Sequence, residues 1–139
     1  MKPRILVFDR DQAITQQLFW TLCEEYDVIT ANDLQTALRR ISSYQPAVAI
    51  LELSANTAND SADTGLRILD YVKTHFPKSR ILGMTAEILP ATKKQFFVRG
   101  VDELLDKPFD TEQLRDFLRR LAPLRSFDSV ESGAFKLSY

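Results

Sequence analysis

The side chains able to do chemistry in this chain lie at the ends of short apolar runs. Asp9 and Arg10 follow the first run, Glu52 closes the third, and Lys107 follows the last. Carboxylates can ligate a hard cation such as magnesium. Arginine and lysine can instead pair with those same carboxylates. The pattern therefore raises the question whether these four side chains form an open acidic site or a closed ion-pair cluster.

The composition limits the possible function classes. The 139 residues carry 45% hydrophobic side chains and a formal net charge of −1, which suits one domain with a substantial core and gives no basic face for nucleic acid. The single histidine and the single cysteine exclude an internal disulfide and leave little for metal binding. No apolar run reaches membrane length, and the leader is too short for a signal peptide. We therefore expect a soluble, cytoplasmic protein.

Five short apolar runs predict five β-strands. Their apolar residues are continuous and their charges lie at the ends, which is typical of strands covered on both faces. The third run is the most apolar and predicts the central strand. The predicted strands are Arg4–Phe8, Val28–Ala31, Ala47–Leu53, Arg80–Thr85 and Val101–Leu105.

Amphipathic stretches between and after these runs predict five helices. Acidic or small polar residues precede four of them as candidate N-caps, Pro90 suits the first turn of the fourth, and Gly100 suits its left-handed end. The small polar segment 54–63 predicts a long loop. The predicted helices are Gln12–Glu25, 34–43, 64–76, Pro90–Arg99 and 111–121, and the candidate caps are Asp9 or Asp11, Asn32 or Asp33, Asp63 or Thr64, and Asp110 or Thr111.

The alternation of strands and helices predicts parallel βαβ units in one open, doubly wound sheet. In such sheets the functional site lies outside the carboxyl ends of the strands. Asp9, Arg10, Glu52, Thr85 and Lys107 all fall at that edge. The edge is therefore the predicted site.

Five motifs at these strand ends occur in one order. They are Ile-Leu-Val-Phe-Asp-Arg-Asp at 5–11, Pro-Ala-Val-Ala-Ile-Leu-Glu-Leu at 46–53, Gly65-Leu66, Met84-Thr85-Ala86 and Lys107-Pro108-Phe109. In this order they resemble the receiver domain of two-component response regulators, over roughly residues 3–121. The resemblance implies a flavodoxin-like three-layer sandwich with strand order 2-1-3-4-5. We expect a receiver-like domain at 1–121 and a C-terminal tail at 122–139, for which docking and disorder both remain open.

The resemblance also implies a chemistry. In the family, an aspartate at the end of the third strand takes a phosphoryl group from a histidine kinase, and two acids after the first strand hold the magnesium ion. A threonine or serine after the fourth strand contacts the phosphoryl group, and a lysine after the fifth pairs with it, usually before a cis-proline. Asp9, Thr85 and Lys107 match these positions.

Two positions depart from the family pattern. Glu52 stands at the phosphoacceptor position, and Arg10 stands where the second acid would be. Asp11 is one residue further along the turn and points elsewhere. Asp9 and Glu52 contribute two negative charges while Arg10 and Lys107 contribute two positive ones, a poor balance for a divalent cation. We therefore expect no enzymatic activity, no cofactor, and weak or absent magnesium binding.

These departures predict a degenerate receiver, or pseudo-receiver, that acts without phosphotransfer. Two narrower versions stay open: a buried ion-pair cluster that closes the old pocket, and a Glu52 that locks an active-like conformation. Arg10 could form a bidentate pair with Glu52 or Asp9. Leu104 takes the place of the family's switch aromatic, which weakens the case for a conventional switch.

No output module follows residue 121 in this sequence, so we expect a protein-interaction adaptor for signalling. The family's partner and dimer face combines the fourth helix, the fifth strand and the fifth helix; here it carries mixed charges. Two alternatives stay open: a working receiver phosphorylated by a sensor histidine kinase, and a small-ligand binder at the strand-end crevice. The absence of a glycine-rich loop after the first strand disfavours the ligand binder.

Overall fold

The computed structural model describes residues 2–54 and 63–123, in which five strands alternate with five helices. Most of the predicted loop 54–63 and of the tail 122–139 lies outside these residues. The strands are β1 (Arg4–Phe8), β2 (Asp27–Ala31), β3 (Val48–Glu52), β4 (Arg80–Thr85) and β5 (Glu103–Asp106). The helices are α1 (Gln12–Leu22), α2 (Leu34–Tyr44), α3 (Thr64–His75), α4 (Pro90–Val98) and α5 (Thr111–Leu121).

The strands form one parallel sheet in the order β2-β1-β3-β4-β5. At its carboxyl edge Glu52 is in register with Met84, and Thr85 is in register with Asp106. The predicted doubly wound sheet and its strand order are confirmed. The strand ends therefore meet at one edge, as the alternation of elements requires.

Side chains alternate along each strand and feed two cores. Ile5 and Val7 of β1 pack with Leu18 of α1 and Leu118 of α5 on one face of the sheet. Leu6 and Phe8 face the other side, where α2, α3 and α4 contribute the remaining core residues. Because each strand is covered on both faces, its apolar residues form a continuous run rather than an alternating one.

Local signals set most helix ends. Asp11, Asp33, Asp63 and Asp110 each accept a hydrogen bond from a backbone N–H in the first turn of their helices. The fourth helix begins at its proline without a side-chain cap. Just beyond the end of this helix at Val98, Gly100 has a φ of +112° and donates its N–H to the Phe97 carbonyl, as predicted for the left-handed residue at this end.

Two predicted boundaries are wrong by two or three residues. α1 ends at Leu22 rather than Glu25, because the N–H groups of Glu25 and Tyr26 both turn back to the Leu22 carbonyl and Tyr26 enters the core at 2% exposure. β5 begins at Glu103 rather than Val101. There the Asp102 carboxylate accepts the Ile81 N–H in place of a strand partner, at 2.7 Å. The other ends agree within one residue.

Candidate functional site

The turn between β1 and α1 holds the most buried acid of the site. Asp9 is fully buried, and its Oδ1 accepts the backbone N–H of Asp11 at 2.9 Å. Asn32 donates from Nδ2 to the Asp9 carbonyl at 2.8 Å and to the Thr15 hydroxyl at 3.0 Å. These bonds fix the turn, so the Asp9 carboxylate has one defined position.

Asp11 joins the site only through its backbone. Its carboxylate turns away and accepts the Ala13 N–H at 2.9 Å, which caps α1. A capping carboxylate is also well placed against the positive end of the helix dipole. Asp11 therefore does not replace the acid missing at position 10.

Glu52 ends β3 beside this turn. Its side chain is 21% exposed, and its Oε1 accepts the backbone N–H of Arg10 at 3.0 Å. The backbone of Glu52 is held from the other side by α3, which approaches so closely that a Cβ on Gly65 would lie 1.8 Å from the Glu52 carbonyl oxygen. Only glycine fits at that contact, so Gly65 sets the distance between α3 and the phosphoacceptor position.

Lys107 connects the two carboxylates. Its Nζ lies 2.7 Å from Asp9 Oδ2 and 3.3 Å from Glu52 Oε2. Its backbone N–H donates to the Thr85 carbonyl at 2.8 Å, and its peptide bond to Pro108 is cis. The structure therefore brings Asp9, Glu52 and Lys107 together as the sequence predicts.

Arg10 lies at the rim of this cluster. Its side chain is 60% exposed, and its Nε is 3.7 Å from Glu52 Oε1, a distance for an ion pair but not a hydrogen bond. Arg10 therefore does not form the bidentate pair considered with Glu52 or Asp9, and its contacts with Glu52 are this ion pair and its backbone N–H. The guanidinium therefore adds positive charge without closing the pocket.

Thr85 is buried at the end of β4, but its hydroxyl serves another group. The Oγ1 accepts the backbone N–H of Glu87 at 3.0 Å. Within the described residues, no hydrogen bond joins that hydroxyl to Glu52 or Lys107. Leu104 is half-buried and packs against the core on the α2–α4 side. The structure thus places Thr85 at the predicted edge without linking its side chain to the carboxylates.

Burial and pairing shift the pKa values in opposite directions. Burial raises the pKa of Asp9, and the Glu52 charge adds to that rise against the pull of Lys107 and the Asp11 N–H. Burial alone would also raise the pKa of Glu52, but the Arg10 N–H and the charge of Lys107 outweigh it and lower that pKa. Burial alone would lower the pKa of Lys107, because it disfavours the charged form. The two carboxylates outweigh that effect and raise this pKa. Glu52 is therefore the more firmly ionised acid.

All four carboxylate oxygens of Asp9 and Glu52 already accept hydrogen bonds. Asp11 and Arg10 donate backbone N–H groups to one oxygen of each, and Lys107 donates to the other two. In residues 2–54 and 63–123, no group of three or more His, Cys, Asp or Glu side chains is arranged to hold a metal ion. In the structure the two carboxylates of the site are thus paired with N–H and ammonium donors.

Two site residues have roles that sequence reasoning did not assign. Asn32 was a candidate cap for α2, but Asp33 takes that place and Asn32 instead anchors the Asp9 carbonyl. Gly65 marks the close approach of α3 to Glu52. A glycine in the first turn of a helix was the available signal, because it costs stability unless a contact requires it.

The sequence of this chain is similar to those of known proteins over most of its length. The sequence model of one protein family, the response regulator receiver domain, matches residues 5–119 of this chain. Response regulator MprA of Mycobacterium bovis is 31% identical over 143 residues, covering 99% of this chain and 59% of that protein. The chain therefore spans about three-fifths of the length of the curated relative.

Solved receiver structures share the fold. Vibrio cholerae chemotaxis protein CheY4 superposes with a TM-score of 0.75 at 27% identity, covering 87% of this chain and 99% of that one. The receiver domain of the Francisella response regulator 1452 gives a TM-score of 0.75 at 23% identity, covering 86% of this chain and 96% of that one. Of the helices in the described residues, none has the length and hydropathy needed to span a membrane.

Proposed function

Because this chain belongs to the response regulator receiver family, we propose that it is a signalling module whose strand-end site does not take part in phosphotransfer. One observation carries the proposal: Lys107 and two backbone N–H groups occupy every oxygen of Asp9 and Glu52. Each of these oxygens would have to share or lose its donor before it could hold a cation or attack a phosphoryl group. In this respect the domain is a pseudo-receiver.

The charge balance supports weak or absent magnesium binding. Asp9 and Glu52 carry two negative charges, and Lys107 with Arg10 carries two positive ones within 4 Å of them. Magnesium requires near-ideal octahedral oxygen ligands and gives up its waters reluctantly. It would have to displace the Lys107 ammonium, whose position is held by two ion pairs. We therefore propose that the module works without a metal ion.

The function of the domain then lies in its protein-binding surfaces and not in a reaction at the strand-end site. Receiver domains of response regulators interact with protein partners such as histidine kinases, and this chain retains their fold. We propose that it binds its partners independently of phosphorylation. Glu52 is held in one place by Lys107 and by the Arg10 N–H, so we propose that the site keeps one conformation without a kinase signal.

Intact-mass measurement after incubation with acetyl phosphate and magnesium tests the proposal. The wild type is compared with Glu52→Asp and with the double variant Glu52→Asp, Arg10→Asp. We expect no mass gain in the wild type and the gain of one phosphoryl group in the double variant, because it restores the acceptor and the second acid. Glu52→Asp alone is the matched control that separates acceptor loss from metal loss.

The pattern of modified and unmodified variants separates the effect of Glu52 from that of Arg10. If Glu52→Asp alone gains the phosphoryl group, Arg10 does not prevent metal use and the charge argument is wrong. If the double variant also stays unmodified, the fold itself has lost the chemistry beyond these two positions. A phosphorylated wild type contradicts the proposal and favours a working receiver.

A further inference from the structure

The outward surface of α1 carries no charge. From Gln12 to Leu22 the helix contains no Asp, Glu, Lys or Arg, whereas each of the other four described helices contains at least two charged residues. Surface helices normally carry charge on the solvent side. Five exposed residues form this surface, which we call the α1 outer face: Gln12, Ala13, Gln16, Gln17 and Trp20.

These five residues form one continuous stripe. At about 100° per residue they span an arc of roughly 140°, with Trp20 near its centre. Trp20 is 74% exposed, and its ring packs edge-on against Phe19 with centroids 5.2 Å apart. Leu18 and Leu22 lie on the opposite side in the core. Trp20 is therefore held in place by Phe19 while most of its surface faces solvent.

This composition is that of an interface core. Interface cores are depleted of charged side chains and enriched in tryptophan, and tryptophans near the centre carry much of the binding energy. A glutamine amide offers both a donor and an acceptor, so two identical glutamines can pair with each other. Two identical carboxylates or ammonium groups cannot. The α1 outer face is thus complementary to itself.

We propose that the α1 outer face binds a second copy of this chain about a two-fold axis. Such an axis places the same patch on both partners, and with the axis at Gln16 each residue meets the residue of the other copy at the same distance on the opposite side of Gln16. No like charges face each other there, and Gln16 at the middle of the helix meets its own mate. Each Trp20 ring then lies against Gln12 and Ala13 of the other copy and supplies the apolar contact.

The face predicted from the family, made of α4, β5 and α5, offers less to a second copy. Six of its charged side chains are already paired within the chain: Lys93 with Asp106 at 2.7 Å, Arg119 with Asp116 at 2.7 Å and Arg120 with Glu103 at 3.3 Å. Its most exposed apolar side chain, Val98 at 80%, lies one turn from Lys94. Two-fold pairing around Val98 would bring two lysines together.

The size of the patch predicts a weak dimer. An 11-residue helix is about 16 Å long, so one helix pair buries less than the roughly 1,600 Å² of a standard stable interface. We expect a dissociation constant in the range of about 10 μM to 1 mM. The inference does not depend on Glu52, because the α1 outer face is unchanged in Glu52→Asp, Arg10→Asp, and the two proposals can fail separately.

Trp20 is the single tryptophan of the chain, so its fluorescence reports on this face alone. Sedimentation equilibrium and tryptophan emission are measured on the whole chain from about 5 μM to 1 mM. We expect the average mass to rise toward the dimer, and the emission to shift to shorter wavelength over the same range. Acrylamide quenching should fall in parallel, because the other copy covers each ring.

Charge variants locate the contact. Gln16→Lys places like charges across the axis and should weaken association at least tenfold, whereas the matched control Val98→Lys should leave it unchanged. An equimolar mixture of Gln16→Lys and Gln16→Glu should recover association. A chain that stays monomeric at about 1 mM overturns the inference. A dimer broken by Val98→Lys and not by Gln16→Lys, or one that forms without any change in Trp20 emission, also overturns it.

Discussion

The ammonium of Lys107 lies 2.7 Å from the carboxylate of Asp9, although 98 residues separate the two in sequence. They follow β5 and β1, which are not neighbours, because β3 and β4 lie between them in the sheet. Asp9 is fully buried, and Lys107 is 18% exposed. This ion pair thus links the ends of β1 and β5 at the carboxyl edge of the sheet.

Removing Lys107 should destabilise the fold. Lys107→Met leaves the buried Asp9 carboxylate without its cation, and we expect a loss of about 2–4 kcal/mol in the free energy of unfolding at pH 7. Urea unfolding measures it. Because the pKa of Lys107 is raised above 10.5, its contribution is complete below that pH and is lost as the pH rises through the folded-state pKa.

A second variant separates charge from packing in this pair. Lys107→Met combined with Asp9→Asn removes the unpaired charge, so the double variant should regain about 1 kcal/mol or more over Lys107→Met alone. A double variant that is less stable by the sum of both single losses contradicts the assignment of Lys107 as the partner of Asp9.

The change in the free energy of unfolding with pH should show the contribution of Glu52. Its pKa is lowered from 4.5, so below that pH the unfolded chain binds more protons and stability falls as acid is added. The pKa of Asp9 is raised from 3.8, so protonation of this carboxylate in acid favours the folded chain. The stability difference between wild type and Glu52→Gln should therefore be constant near neutral pH and shrink below pH 4.5. A difference that stays constant through this range contradicts the pairing of Glu52 with Lys107.

Gly65 should tolerate no side chain. In Gly65→Ala the new Cβ meets the Glu52 carbonyl oxygen at 1.8 Å, a backbone atom that cannot move aside. We expect a loss of about 3 kcal/mol or more in thermal or urea unfolding. Gly83→Ala is the matched control, because its nearest contact is the Leu53 side chain at 2.7 Å. Equal losses in the two variants would argue against a rigid contact between α3 and β3.

Arg10 should contribute little to stability. Its guanidinium is largely exposed and 3.7 Å from Glu52, and exposed ion pairs are worth about 0–1 kcal/mol. The bond from its backbone N–H to Glu52 survives any substitution except proline. The free energy of unfolding of Arg10→Ala should therefore lie within about 1 kcal/mol of the wild-type value. A loss near that of Lys107→Met would show that the side chain closes the pocket after all.

The parallel sheet and the edge that carries Asp9, Glu52 and Lys107 could be predicted from the sequence because their signals are local, whereas the strand order followed from the family resemblance. Apolar runs mark strands covered on both faces, and the aspartates before α2 and α5 mark helix starts. With parallel strands, the residues that follow them must meet at one edge. The grouping of these three side chains follows from that topology.

The partners of individual atoms could not be predicted. Lys107 bonds to both carboxylates, whereas the Thr85 hydroxyl turns to the Glu87 N–H. Each of these contacts depends on the rotamer of a side chain and on the geometry of a loop, which no periodicity records. The exposure of the Arg10 guanidinium also depends on loop geometry, because the turn presents the Arg10 N–H to Glu52 and directs the side chain outward.

The most direct test of the central claim is the mass of the wild-type chain after long incubation with acetyl phosphate and magnesium, with tandem mass spectrometry to locate any modification. We predict an unchanged mass, because Lys107 and the backbone N–H groups occupy both carboxylates of the site. The gain of one phosphoryl group on Glu52 or Asp9 would contradict this account and establish a working receiver.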